Sequence, residues 1–87
     1  MADPSSPYSR PDLAKLPRVS GAQAIRALEK LGFVQVRQRG SHVVLKRTDA
    51  SGPRGCVIPL HTELASGTLR GILKQAAISI EQFVEKI

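Results

Sequence analysis

Residues 33–47 read FVQVRQRGSHVVLKR, and this stretch decides the fold that the sequence predicts. Apolar and polar residues alternate on both sides of Gly40-Ser41, which is typical of two half-buried β-strands. A Gly-Ser pair between such strands predicts a two-residue hairpin, with glycine first as a type II′ turn requires. The residues that flank this turn should pair directly, so we expect Arg39 to lie opposite His42. The hairpin then has an apolar face and a basic face, and His42 belongs to the basic one.

The same counting predicts the rest of the sheet. Outward from the turn, three further cross-strand pairs are expected: Arg37–Val44, Gln35–Lys46 and Val36–Leu45. Residues 48–55, TDASGPRG, indicate a polar loop, and residues 56–60 a third strand. Pro59 cannot donate to a ladder and favours an edge position for that strand. Pairing Arg47 with Cys56 would place His42 opposite His61, and it keeps four apolar side chains on the core side: Val43, Leu45, Ile58 and Leu60.

Helices are predicted before and after the strands. Ser20 and Gln23 form a capping box for a helix that runs to Leu31 and stops at Gly32. A second helix is expected from a cap at Ser66 or Thr68 to about Ala76. A second capping box, Ser79 with Gln82, begins a short last helix whose inward residues would be Ile80, Phe83, Val84 and Ile87. Residues 1–18 are rich in Pro and Ser and predict a flexible tail, and residues 19–87 predict one domain. The fold class is α+β, with the order α-β-β-β-α, helices on one face of a three-stranded antiparallel sheet, and a short C-terminal helix.

The composition favours a polyanionic partner. The 87 residues contain 13 Lys and Arg against 7 Asp and Glu, which gives a net charge of +6. A strongly basic small domain most often binds nucleic acid, although a soluble protein with excess lysine is the simpler alternative. Aromatic residues make up only 3% of the chain, so base stacking is not expected, and RNA would be held through phosphates and sugar hydroxyls. A single cysteine cannot form an internal disulfide, which favours a reducing, cytoplasmic location. No apolar run predicts a membrane span or a signal peptide.

Most enzyme signatures are absent from the sequence. It has no P-loop, GxGxxG, CxxC or HExxH motif and no carboxylate cluster, so no metal or cofactor is expected. What remains is the basic sheet face, with Gln35, Arg37, Arg39, His42, Lys46 and perhaps His61. RNA supplies its own nucleophile, the 2′-hydroxyl, and a protein needs only a base, an acid and cations to cleave it. Histidine is suited to such proton transfer near neutral pH. On these residues alone, a structural or surface role for His42 is the better-supported interpretation.

The segments LEKLGFVQVRQR, GSHVVLKR, IPLH and GTLRGILKQAAISIEQFVE together resemble the HicA family of mRNA interferase toxins, also called YcfA-like. The resemblance covers about residues 16–87. It implies a compact fold like that of double-stranded-RNA-binding domains. It also implies metal-independent cleavage of mRNA or other single-chain RNA, with the histidine of the G-S-H segment as the catalytic residue. That histidine is His42 here.

The resemblance also implies partners and further site residues. Family members are toxins of type II toxin–antitoxin systems, associated with stress responses, and a HicB antitoxin neutralises them by covering the site. The P-x-H and G-T-L-R segments recur in the family and correspond to residues 59–61 and 67–70. Taken with the basic face, this predicts an RNA-binding set of Arg37, Arg39, Ser41, Lys46, His61, Thr68 and Arg70, and a toxin that is monomeric without its antitoxin. The main alternative is a non-catalytic module that binds duplex RNA by shape, and another is an inert remnant within a complex.

Overall fold

The structure, a computed structural model, describes residues 16–87. Within this range the chain forms α1 (Gly21–Lys30), β1 (Val34–Arg39), β2 (His42–Asp49), β3 (Gly52–Pro59), α2 (Ser66–Ala76) and α3 (Ile80–Lys86). The strands form one antiparallel sheet in the order β1-β2-β3. The predicted α+β fold, similar to that of double-stranded-RNA-binding domains, is therefore confirmed. Most of the predicted tail, residues 1–15 of 1–18, lies outside the described residues, and Leu16 packs against the core.

Helix α1 begins and ends where its sequence signals predict. The Ser20 hydroxyl accepts a hydrogen bond from the Gln23 amide at 3.0 Å, and the Gln23 side chain accepts one from the Ser20 amide at 2.8 Å. After Leu31, Gly32 takes a φ of 102°, a conformation that L side chains rarely adopt, so the helix stops there. The buried face of α1 consists of Gly21, Ala24, Ile25, Ala27 and Leu28.

The two later helices confirm one predicted cap and overturn another. Ser79 and Gln82 form the expected capping box of α3. Helix α2, however, starts at Ser66 behind Ala65, which makes no side-chain cap, so the predicted cap at Ser66 or Thr68 is wrong. Both residues already lie inside the first turn, where their side chains are no longer at the capping position.

The predicted inward face of α3 is also wrong in part. Phe83 is fully buried and Ile80 packs against the core, but Val84 and Ile87 are 45% and 50% exposed. Val84 lies about 100° around the helix from Phe83, and Ile87 follows the last helical residue, so neither reaches the core.

The β1–β2 hairpin has the predicted turn and an unpredicted bulge. Gly40 has a φ of 57° and Ser41 does not have a positive φ, the sign pattern of a type II′ turn. Arg39 pairs with His42 and Arg37 with Val44, as predicted. The register then shifts at Val36, so Gln35 pairs with Leu45 and Val34 with Lys46. The predicted Gln35–Lys46 and Val36–Leu45 pairs are therefore wrong. The extra residue on β1 moves the side chains on its N-terminal side, Val34 and Gln35, to the opposite faces of the sheet from those predicted.

The register between β2 and β3 differs from the prediction by two residues. The predicted loop at residues 48–55 is instead a tight turn, closed by pairing of Asp49 with Gly52. The Asp49 carboxylate accepts a hydrogen bond from the Ser51 amide at 2.8 Å, and Gly52 has a φ of 109°. Because turn length sets hairpin register, His42 lies opposite Pro59, Arg47 opposite Arg54, and Leu45 opposite Cys56. The predicted His42–His61 and Arg47–Cys56 pairs are wrong.

The core lies between the sheet and the helices. A slip of two residues preserves the face of every side chain, so Val43, Leu45 and Ile58 are buried as predicted, and Cys56 is buried beside them. Leu60, predicted in the core, is 39% exposed just past the end of β3. The rest of the core comes from the helices and their connections and includes Val19, Phe33, Leu64, Leu69, Ile72, Leu73, Ala76, Ile78 and Phe83.

Candidate functional site

The sheet face turned away from the core, called the open face below, carries the candidate site. It consists of the strand residues that alternate with the buried ones on β2, together with their cross-strand partners. Three rows cross it: Arg39–His42–Pro59, Arg37–Val44–Val57 and Val34–Lys46–Gly55. Paired residues share a face of a sheet, so the side chains in each row are neighbours.

His42 is exposed at the first position of β2. Its place is set by the tight turn at Gly40-Ser41, which puts it directly opposite Arg39. On its other side it faces Pro59 at the end of β3. The imidazole is therefore held on a strand and remains accessible, which are two requirements for a group that transfers protons to or from a bound polymer.

The open face is positively charged. Arg37, Arg39 and Lys46 are all exposed on it, and its strand residues include no carboxylate. Gln35, predicted on this face, is on the helix side, where its amide donates to the Glu29 carboxylate at 3.2 Å. A face with three cations and no acidic residue can bind a chain of phosphates around His42.

Ser41 and His61 lie at the same end of the sheet as His42. Ser41 is exposed in the hairpin turn, and its carbonyl accepts a hydrogen bond from the Leu60 amide at 2.7 Å. His61 is exposed one residue further along, and its carbonyl accepts from the Gly21 amide at 2.9 Å. Although His61 does not pair with His42, the chain brings both histidines to one end of the sheet.

Thr68 and Arg70 belong to a different layer. Both are exposed on α2, which packs against the opposite side of the sheet from His42. The structure therefore brings together Arg37, Arg39, His42 and Lys46 on the open face. It leaves Thr68 and Arg70 of the predicted RNA-binding set on the helix layer.

A comparison with known protein families shows what the chain is similar to. The family described as HicA toxin of bacterial toxin–antitoxin systems matches residues 21–78, which is well over half of the 87-residue chain. The chain belongs to the HicA toxin family. The match begins with α1, includes all three strands and His42, and ends after α2. A search of curated proteins gave no match.

The open face of this HicA-family protein also has an apolar strip that was not predicted. Val44 is half-buried, its β3 partner Val57 is 44% exposed, and Val34 in the neighbouring row is 58% exposed. Val44 lies on this face as the predicted partner of Arg37. Val34 reaches this face only because of the bulge. The three cations therefore surround a partly apolar centre.

Arg47 contributes to the net positive charge but is not part of the open face. It lies on the helix side, where it donates to the Leu31 carbonyl at 2.8 Å and to the Asp49 carboxylate at 3.1 Å. Its guanidinium also lies 5.1 Å from the centre of the Phe33 ring. Arg47 thus binds the C-terminal end of α1 to the sheet, a structural role.

Within the described part of the chain, Cys56 and the acidic residues offer no other reactive centre. Cys56 is buried opposite Leu45, and burial raises the pKa of its thiol to about 11, so it remains a neutral thiol near pH 7. Within residues 16–87 no group of three or more His, Cys, Asp or Glu side chains is placed to hold a metal ion. In the same range no helix is both long and apolar enough to cross a membrane.

Proposed function

We propose that this HicA-family toxin is a metal-independent endoribonuclease that cleaves mRNA in the cytoplasm and so blocks translation. The observation that carries this proposal is the position of His42, exposed on a strand, directly opposite Arg39, on a sheet face with Arg37 and Lys46 and no carboxylate. RNA can be cleaved by its own 2′-hydroxyl. The protein then needs to remove a proton and to stabilise charge on the phosphate, which His42 and the surrounding cations can do.

Each open-face residue has a distinct part in this mechanism. His42 accepts the proton of the 2′-hydroxyl as the oxygen attacks the adjacent phosphorus. Arg39, its cross-strand partner, lies close enough to stabilise the additional negative charge on the phosphorane. Lys46 is four residues along β2 from His42, or about 13 Å, so it would bind a neighbouring phosphate of the same chain. Arg37, in the row between them, would contact the intervening backbone.

The substitution that tests this proposal is His42→Ala. Because His42 is exposed and outside the core, its loss should change the free energy of unfolding by no more than about 0.5 kcal/mol. Loss of a general base should slow RNA cleavage by roughly 10²–10⁴-fold and abolish growth arrest on induction. The matched control is Thr48→Ala, which is exposed on the same face of β2 and about 20 Å from His42. A folded His42→Ala protein that still cuts RNA would rule out the proposal.

Two substrate experiments test the chemistry independently of any variant. Cleavage should persist in EDTA, because the mechanism uses no metal. A substrate with a single 2′-deoxyribose at the cut site should resist cleavage, because it lacks the nucleophile. Efficient cutting of that substrate would show that water, not the 2′-hydroxyl, attacks the phosphorus.

The alternative function is a non-catalytic module that binds duplex RNA, and the positive open face favours it as well. In that case His42 contacts phosphate or a 2′-hydroxyl and does no chemistry. His42→Ala would then lower RNA affinity by a small factor, and the wild-type protein would leave RNA intact.

A further inference from the structure

Two hydrogen bonds and one close approach set the direction of the peptide groups just past the end of β3. The Leu60 amide points towards β2, where it donates to the Ser41 carbonyl at 2.7 Å. The carbonyls of the two neighbouring residues, Pro59 and His61, point the other way, towards Gly21. The His61 carbonyl accepts from the Gly21 amide at 2.9 Å, and the Pro59 carbonyl lies 2.0 Å from where a Gly21 side chain would begin. Amides and carbonyls that alternate in this way are the mark of an extended strand.

Side chains alternate along an extended strand as well, and this places His61 relative to His42. Leu60 lies on the helix side, where it lines a groove with Ile25 and Val43. His61, the next residue, therefore returns to the side of the open face, which Pro59 shares with His42. His61 is two residues beyond the partner of His42, a diagonal neighbour at a Cα separation of roughly 7–8 Å. Both histidines are exposed, so both side chains are accessible to a bound RNA phosphate.

We propose that His61 is the general acid of the reaction, a role that rests on the function proposed above. His42 takes the proton from the 2′-oxygen while that oxygen bonds to phosphorus. The bond from phosphorus to the 5′-oxygen of the next nucleotide breaks, and the His61 imidazolium gives that oxygen its proton. The products are a 2′,3′-cyclic phosphate and a 5′-hydroxyl. Proton exchange with water returns His42 to its neutral form and His61 to its protonated form, so the reaction needs no other reactant.

The other cations of the open face are less suited to this step. Arginine does not give up its proton in proteins, so Arg37 and Arg39 can stabilise charge but cannot act as acids. Lys46 is about 13 Å from His42 along β2, too far for both to act on the two ester oxygens of one phosphate. His61 is at the end of the sheet where His42 lies, and it is exposed.

The decisive experiment changes the leaving group. One RNA that the wild-type protein cuts at a mapped site is made in two forms, with a 5′-oxygen or a bridging 5′-sulfur at that site. A sulfur leaving group departs as a thiolate and needs no proton. The His61→Ala protein should cleave the oxygen substrate roughly 10²–10⁴-fold more slowly than wild type. It should cleave the sulfur substrate at a rate within about tenfold of the wild-type rate. His42→Ala should be slow on both, because the sulfur does not replace the base.

Controls separate a catalytic role from a structural one. His61 bonds to Gly21 through its backbone carbonyl, and the His61→Ala protein keeps this carbonyl. The melting curve of the His61→Ala protein should therefore match that of wild type. His61→Gln keeps a polar side chain without an acid and should behave in the same way as His61→Ala. Thr62→Ala, exposed beside it, should cut both substrates normally.

The possible results distinguish this inference from the proposed function. Equal slowing of both substrates by His61→Ala, or no slowing of either, would overturn the role of His61 and leave that of His42 intact. Normal cleavage by His42→Ala, or no cleavage of either substrate by the wild-type protein, would overturn the proposed function and this inference with it.

Discussion

Lys46 and Arg47 are consecutive residues of β2 whose side chains leave the strand on opposite faces. Lys46 lies on the open face in the row with Val34, whereas Arg47 turns to the helix side and donates to the Leu31 carbonyl. Two neighbouring cations in the sequence thus belong to different parts of the molecule. A positive charge in the sequence therefore cannot be assigned to RNA binding until its face is known.

Alanine substitutions should distinguish the role of Lys46 in RNA binding from the structural role of Arg47. Lys46→Ala should change the free energy of unfolding by no more than about 0.5 kcal/mol relative to wild type. It should reduce the slope of RNA affinity against salt concentration by the amount expected for the loss of about one phosphate contact. Arg47→Ala should lower the free energy of unfolding by about 1–3 kcal/mol, because it removes hydrogen bonds from a partly buried cation, and leave the salt slope unchanged. Arg26→Ala, which removes an exposed cation from α1, should change neither quantity. A weaker salt slope for Arg47→Ala alone would contradict the assignment of faces.

Gly21 is required where α1 meets the end of β3. A side chain there would begin 2.0 Å from the Pro59 carbonyl oxygen, much closer than a carbon can lie to an oxygen to which it is not bonded. Gly21→Ala should therefore destabilise the protein by about 1–3 kcal/mol in urea unfolding, although alanine favours helices. It should also slow RNA cleavage, because Pro59 is the residue opposite His42.

The matched control for that substitution is Gly71→Ala. Gly71 lies within α2, and a side chain there would meet no atom within 4 Å. Alanine in an exposed helix should stabilise the protein by roughly 0.5–1 kcal/mol. If both substitutions stabilised the protein, the close contact between Gly21 and Pro59 would not exist in solution.

The position of His42 could be predicted because it depends on local chemistry. The Gly-Ser turn and the alternation of residues 33–47 fix its face and its partner Arg39 without reference to the rest of the chain. The caps of α1 and α3 were predictable for the same reason, since each capping box spans only four residues. Ala65, which begins α2 without a side-chain cap, gives no such signal.

The other neighbours of His42 could not be predicted, because they depend on a turn and a bulge elsewhere in the sheet. The TDASGPRG segment has the composition of a loop, yet Asp49 and Gly52 close it into a tight turn that moves β3 by two residues. Two residues is a full period of a strand, which explains why the buried face of β2 and β3 was predicted correctly, apart from Leu60, while the β3 partner of His42 was not. The bulge at Val36 has no sequence signature, and it moved Gln35 off the open face.

The family implies an antitoxin partner, and we predict that this partner binds the open face. Val57 is 44% exposed in the apolar strip, so a HicB-like partner that covers His42 should bury it and place acidic groups over the surrounding cations. Val57→Ser should weaken that association by roughly tenfold, and added salt should weaken it further. Val84→Ser is the control, since Val84 is 45% exposed on α3, away from this face. An antitoxin that bound only residues 1–15 and left cleavage intact would contradict this prediction.

Cys56 should make stability fall at alkaline pH. Burial raises the pKa of its thiol from an ordinary 9.0 to about 11, so between these values the unfolded chain loses the proton while the folded chain keeps it. The stabilising difference is therefore complete below pH 9 and is lost as the pH rises towards 11. Between pH 8 and pH 10.5 the free energy of unfolding of the wild-type protein should fall by roughly 2 kcal/mol more than that of Cys56→Ala, which has no thiol to titrate. Urea unfolding of both proteins across this range measures the difference, and parallel curves would show that the folded thiol is accessible to water.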